Sequence, residues 1–366
     1  MKNRIKKKRI LFAANDIGWR IEHYSNFIKH NCSEVLVAES FVNYVAPSSL
    51  YNTNYTYSFN YSKLPSILRW CLSVFLFFKF LMKYDIFHFF SGETILTRNT
   101  RKLEFIVYKL FNKKVIMHFV GADIRNPKYV EWKEQNIQAY LKGDRPPIEP
   151  LKWQKKLMED SQKYADRVLV STPDLLCIYP GKANYFPVLL DLDKFNMEIS
   201  KIEFERSNEI VIVHAPSNPL VKGSRIIEPV LKSIKEKYGD KVKLILREDL
   251  DNITRYATSR YDLFRCFLVS NIVIDQMVIG WYGLQAIEAV MTDNQVISYV
   301  GQDVEKYLFP ECPIILANAI DLYEVIEACI KRELNGRIDY KSAKEWVRKY
   351  HSIEQNNELL LDTWLN

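Results

Sequence analysis

Two α/β domains, each a doubly wound parallel sheet, are the architecture that this 366-residue sequence predicts. Three observations point there. The length exceeds one ordinary domain and suits two of roughly 150–190 residues. Short apolar runs alternate with segments of helical spacing along nearly the whole chain, the pattern of a parallel sheet. The alternation also comes in two series, separated by a polar stretch marked by proline and aspartate.

Residues 9–14 (RILFAA) are an apolar run ending in the turn-forming Asn15-Asp16-Ile17-Gly18, and helical spacing follows over 19–30. Further strands are predicted at 34–38, 85–89, 114–118 and 167–171, with helices at 66–82, 103–111 and 153–164. Residues 129–150 are polar, end in RPPIEP, and read as an irregular excursion. The boundary falls at 191–207, where NYFPVLLDLDKF (184–195) passes from a strand into a polar connection, so the first domain is predicted at 1–190. The second series, 208–345, runs strand 210–214, helix 223–238, strand 242–247, helix 258–269, strand 272–275, helix 283–291 and strand 296–299. Amphipathic helices at 321–334 and 341–351 and a helical pattern over 353–364 complete it.

Hydrophobic residues at 48% and charged residues at 26% are enough to bury a core in both domains, which excludes disorder. The chain has 22 Tyr and 20 Phe against 11 Gly, so glycine turns are scarce and each carries meaning. Six cysteines, with no C-x-x-C pair, read as buried free thiols of a reducing cytosol. Clustered Cys or His ligands are absent from the sequence, so no metal site is expected.

The net charge of +7 is unevenly distributed: residues 1–190 hold 29 Lys/Arg against 16 Asp/Glu, and the remainder 22 against 28. A basic first half attracts nucleic acid, anionic lipid or a phosphorylated substrate. Nucleic acid is disfavoured, because the cations are spread over strands and helices with no recognisable binding module. The basic run Lys2, Arg4, Lys6, Lys7, Lys8, Arg9 leads into too short an apolar stretch for a signal peptide, so a cytoplasmic protein is expected, peripheral on a membrane. Residues 64–84 (LPSILRWCLSVFLFFKFLMKY) carry Arg69 and Lys79 and fall short of the ~20 apolar residues of a span. They suit a core helix, or an interfacial helix whose cations snorkel toward headgroups.

Ligands of open parallel sheets bind at the carboxyl ends of strands, so motifs placed there carry the chemistry. In HAPSNPLVKGSR (214–225), Lys222 and Gly223 stand where a helix start presents amides and a cation to a diphosphate, with Arg225 close by. In DQMVIGWYGLQAIEAV (275–290), Tyr282 and Gly283 lead into a helix whose first amides, at Leu284 and Gln285, can hold phosphate. Glu288, about one turn further, can accept both hydroxyls of a ribose. In KKVIMHFVGADIRN (113–126), His118 ends a strand and can meet a sugar hydroxyl, while Asp123 can fix its tautomer or cap the next helix. The first loop, with Gly18, lacks G-x-G-x-x-G, which disfavours a nicotinamide or flavin dinucleotide.

In their order as well as their content these segments resemble the retaining GT-B glycosyltransferases that build bacterial surface polysaccharides and glycolipids. YDIFHFF (84–90), HFVGADIR (118–125), ADRVLVSTPDL (165–175), FPVLLDLDKF (186–195), VKGS (221–224) and GWYGLQAIEA (280–289) carry the resemblance. It implies two Rossmann-like domains facing across a cleft, with the donor diphosphate of a UDP or GDP sugar held by Lys222 and the backbone of 283–285. It further implies Glu288 on the ribose, His118 by the reacting sugar, closing helices at 346–366 that return to the first domain, and a glycan or lipid-linked acceptor. No cofactor beyond the donor substrate is implied, and catalysis would be front-face, the protein chiefly positioning groups and stabilising negative charge.

Two positions depart from the family pattern: Gly280 stands where a glutamate contacting the donor sugar is usual, and Ser217 where an arginine is usual. Gly280 leaves room for a nucleotide-sugar epimerase, or for an inactive sugar-nucleotide-binding subunit of the same fold. Asp191-Leu192-Asp193 matches the D-x-D of the metal-dependent GT-A class, but it sits between two complete strand-helix series, where the GT-B crossover falls.

Overall fold

The computed structural model describes residues 7–16, 20–44, 55–96, 98–250, 260–336 and 338–366. Along the chain, β1 (Lys8–Ala14), α1 (Arg20–Asn31), β2 (Leu36–Val42), β3 (Tyr57–Ser58), α2 (Ser66–Lys83), β4 (Ile86–Phe90), α3 (Arg101–Leu110) and β5 (Lys114–Phe119) come first. Next are α4 (Pro127–Gln135), α5 (Ile137–Leu141), α6 (Lys152–Tyr164), β6 (Arg167–Val170), α7 (Asp174–Ile178), β7 (Asn184–Tyr185) and α8 (Leu192–Ile199). The second series holds β8 (Ile210–His214), α9 (Pro219–Lys222), α10 (Ser224–Tyr238), β9 (Val242–Leu246), α11 (Arg260–Val269), β10 (Ile272–Ile274), α12 (Leu284–Met291) and β11 (Gln295–Ser298). It ends with β12 (Ile315–Leu316), α13 (Leu322–Leu334), α14 (Tyr340–His351) and α15 (Asn357–Leu365).

These elements form two compact units, Met1–Arg125 with Pro150–Asp191 and Asn356–Asn366, and Asn126–Glu149 with Leu192–Gln355. The division departs from the expected one in three places. The supposed irregular excursion contains helix α4, started by Asn126, whose side chain accepts from Lys128 N at 2.9 Å with Pro127 behind it. Its Glu134 pairs with Arg225 at 3.7 Å, which ties this stretch to the second unit. The supposed crossover contains α8, whose Phe195 packs on Phe264 of α11 with ring centroids 5.1 Å apart. Of the closing helices, α14 stays with the second unit through Trp346 against Tyr282, and only α15 belongs to the first.

The first unit's sheet has the order β3-β2-β1-β4-β5-β6-β7 with every described pairing parallel. Strands β1, β4 and β5 are buried almost throughout, as apolar runs covered on both faces must be. Leu76, Phe77, Phe80 and Leu81 bring one face of α2 into that core. Trp364 of α15 is fully buried against Phe12 and Tyr24, at 5.4 and 6.2 Å between ring centroids. Lys114 and Lys8 donate to the carbonyls of Trp364 and Leu365 at 3.2 and 3.4 Å, cations on a helix C-terminus.

The second unit's sheet runs β12-β11-β10-β8-β9, again parallel. The chain reverses its direction of winding between β1 and β4 in the first sheet and between β8 and β10 in the second. These are the topological switch points at which ligands of open α/β sheets bind. Three cysteines are buried as expected (Cys32, Cys266, Cys329), but Cys71 and Cys177 are exposed. No described helix is long and apolar enough to cross a membrane.

Candidate functional site

At the second unit's switch point, three segments far apart in sequence meet on one carboxylate. Asp275, just beyond β10, is fully buried at its side chain and pairs with the Lys222 ammonium. Its other oxygen accepts from the Gly283 amide at 2.8 Å and from Ser298 Oγ at 3.4 Å. Lys222 therefore lies at the start of α12, and a Cβ at Gly283 would sit 3.1 Å from its Nζ. Asp275 is the one acceptor of the Lys222 ammonium among the described residues, which leaves two of its three N–H donors unused there. Gly283, whose amide was expected to meet phosphate, spends it on Asp275, while the amides of Leu284 and Gln285 have no acceptor among the described residues.

The turn from β8 is held by His214. Ile274 O can only accept, so His214 Nδ1 carries the proton and donates at 3.0 Å, and Nε2 accepts from Ser224 Oγ at 2.9 Å. This joins the first residue of α10 to β10 and sets Gly223, at φ 80°, between α9 and α10. The loop 276–283 is built around buried Gln276, which accepts from Val278 N at 2.9 Å and Gly280 N at 3.3 Å and donates its two N–H groups to Ser298 Oγ and Tyr299 O, with Trp281 O 3.3 Å from the same nitrogen. Gly280 has φ +91°, a conformation that strains a glutamate, so the loop as folded does not readily take an acid at this position.

Glu288 is 1% exposed and accepts from Arg260 at 2.9 Å, with Glu198 on the same guanidinium at 3.5 Å. Burial raises the Glu288 carboxyl above its usual range, and Arg260 opposes that shift. Arg225 is largely exposed and engaged with Glu134 rather than with Lys222. Tyr282 is buried, stacks on Trp281 and shares a 3.1 Å hydrogen bond with His351 Nε2, so its side chain packs α14 instead of lining a nucleotide site.

In the first unit, His118 ends β5 within a buried polar chain. Trp364 Nε1 donates to His88 Nδ1 at 3.2 Å, so neutral His88 carries its proton on Nε2 and donates to His118 Nδ1 at 3.3 Å. His118 then donates from Nε2 to Ser171 Oγ at 3.0 Å, and Arg20 donates to the same oxygen at 2.8 Å. Ser171 and His88, not Asp123, set the His118 tautomer. Asp123 accepts from Val120 N at 2.9 Å and Gly121 N at 2.7 Å, which orders the loop, and Asn126 supplies the cap expected of it. Both ring nitrogens of His118 are engaged, so contact with a sugar requires one bond to be exchanged. Gly18 lies outside the described residues. The neighbouring Asp16 accepts from Ile21 N at 3.2 Å and Tyr55 Oη at 3.0 Å, and burial pushes its carboxyl up to about 6.

Sequence reasoning missed Asp275 as the partner of Lys222, along with Arg260, Arg20, Ser171 and Trp364. Only Asp275 carried a signal, as a lone acid ending an apolar strand. Among the described residues, no group of three or more His, Cys, Asp or Glu could hold a metal ion.

Burial lowers His214 to about 4 and His88 to about 3, and it holds His118 well below the usual value, with His88 and Arg20 adding to the effect. Below pH ~6.5 the unfolded chain takes up protons that these rings refuse when folded, so their contribution to stability is lost as pH falls from there toward those values. The stability gap between the wild type and His214→Asn should therefore be narrower at pH 5 than at pH 7, by on the order of 2 kcal/mol in urea unfolding. An equal gap at both would show that His214 titrates normally.

No protein-family model matches the sequence, and no curated protein does. Solved structures match along nearly the full chain at low identity. The Anabaena protein HepE in complex with UDP and glucose is 13% identical, with TM-score 0.60 over 98% of this chain and 99% of its own. Sucrose-phosphate synthase from Thermosynechococcus elongatus is 12% identical, with TM-score 0.60 over 98% and 99%. A Listeria monocytogenes protein assigned as a UDP-N-acetylglucosamine 2-epimerase is 13% identical, with TM-score 0.53 over 97% and 95%. The fold of this chain is that of the GT-B glycosyltransferases: two Rossmann-like α/β units built on parallel sheets of seven and five strands.

Proposed function

We propose that this protein is a glycosyltransferase that moves a sugar, with retention, from a nucleotide-diphosphate donor to a glycan or lipid-linked acceptor for cell-surface polysaccharide or glycolipid synthesis. It would work at the cytoplasmic face of a membrane and without a metal. The observation that carries the reading is the Lys222 ammonium at the start of α12, beside two uncommitted helix amides at the switch point of the second sheet. A diphosphate seated there would take two hydrogen bonds from Leu284 and Gln285 and charge neutralisation from Lys222, and Glu288 lies further along the same helix for a ribose. HepE, which has been solved with UDP and with UDP-glucose, supports a uridine donor. In the first unit, His118 and the loop ordered by Asp123 would face the acceptor.

Gly280 favours a second reading, a nucleotide-sugar epimerase of the same fold, because the usual acid is absent from the donor loop. The two separate on the products formed from UDP-glucose and a membrane extract: a transferase releases UDP and lengthens a glycan, whereas an epimerase gives neither transfer nor glycan growth.

UDP at a hundred times its dissociation constant should stabilise the protein by ~2.7 kcal/mol, seen as a rise in melting temperature. Lys222→Ala, combined with Asp275→Asn so that no buried carboxylate is orphaned, should remove that rise. If UDP, GDP and dTDP all leave the melting temperature unchanged, the donor site proposed here does not exist.

A further inference from the structure

Helix α2 is apolar on both sides. Its inner face enters the core, yet Ile67, Phe75, Phe78 and Met82 stand out at 65, 63, 57 and 76% exposure, with exposed Cys71 between them. Their spacing of four, four, three and four residues puts them on one outward stripe about 22 Å long. Helix α3 lies alongside, Phe77 and Tyr108 in ring contact at 5.5 Å, and exposes Leu103, Leu110 and Phe111. An apolar surface of this extent on a water-soluble fold marks a surface that something covers.

The charges around it select what covers it. Helix α2 contains no Asp or Glu, and the single acid of α3, Glu104, is fully buried and bonded to Tyr108 and the Ile95 and Leu96 amides. The exposed charges on the two helices are Lys79, Lys102 and Lys109. The unit as a whole carries 25 Lys/Arg against 15 Asp/Glu. A second copy of this chain would bring two positive faces together, whereas an anionic bilayer offers hydrocarbon for the stripe and phosphate for the lysines.

We infer that α2 and α3 form an interfacial docking face, which lies flat on an anionic lipid surface with the Ile67–Met82 stripe in the acyl boundary and Lys79, Lys102 and Lys109 among the headgroups. This gives the membrane association proposed above a specific face. It rests on its own observation, since neither donor nor acceptor enters its test, so vesicle binding and sugar transfer can fail separately.

The test is co-sedimentation of the full chain with vesicles of phosphatidylcholine alone and of phosphatidylcholine mixed with phosphatidylglycerol. The wild type should pellet with the mixed vesicles. Phe75→Ser with Phe78→Ser should lower the bound partition about tenfold or more, and replacing Lys79, Lys102 and Lys109 by Gln should lower it comparably for mixed vesicles only. These side chains are exposed, so melting temperatures should stay near that of the wild type. Removing residues 2–6 should have the smaller effect. A wild type that pellets with neither vesicle, or a serine variant that pellets as well as the wild type, overturns the inference. So does a wild type that elutes as a dimer and becomes monomeric in the serine variant, because the stripe would then be a contact between copies.

Discussion

Asp275→Ala should lose about 3–5 kcal/mol of folding stability and nearly all affinity for a nucleoside diphosphate. The carboxylate is fully buried and serves three groups at once, Lys222, the Gly283 amide and Ser298. Removing it leaves an ammonium that is 14% exposed without its counter-charge, and a backbone N–H without an acceptor. The loop before α12 then loses the contact that holds it against α9, and the amides of Leu284 and Gln285 lose their placement. Asp275→Asn keeps an acceptor for Gly283 and the side-chain volume, so it should cost less stability while still weakening the hold on Lys222. Urea unfolding and calorimetric titration with UDP measure the two effects. A loss of stability within about 0.5 kcal/mol would place Asp275 outside any such network.

The second large effect concerns Glu288 and Arg260. Arg260→Ala strands the buried Glu288 carboxylate and should destabilise by about 3–5 kcal/mol, whereas Glu288→Ala leaves Arg260 paired with Glu198 and should cost less. The double variant removes both charges and should regain much of that loss. If Glu288 also binds the ribose, affinity for UDP should stay low in the double variant. Recovery of stability without recovery of binding separates the roles; recovery of both would reduce Glu288 to a structural partner of Arg260.

Local pattern revealed the α/β alternation, the two series and the glycine-started α12, because a strand or helix is set by residues a few positions apart. Lys222, beside the glycine that opens a helix, was legible for the same reason. Pairings such as Lys222 with Asp275, 53 residues on, or Trp364 with His88, 276 residues back, were not. Nothing in the sequence near Lys222 distinguishes a cation held by a buried acid from one free in solvent. Tyr282 shows the same limit: its place beside Gly283 suggested a nucleotide site, and His351 and Trp346, both more than sixty residues away, turned it into packing.

Residues 126–149 were misplaced because their polarity reads as loop, although Asn126 and Pro127 announce a helix start. Taken alone, the sequence determined the fold class and named Lys222, Glu288 and the start of α12, since periodicity and turn chemistry are local properties. The tertiary structure alone decided which charges neutralise one another, which histidine nitrogens carry protons, and which face of α2 stays uncovered, because burial and partner choice depend on residues that only folding brings together.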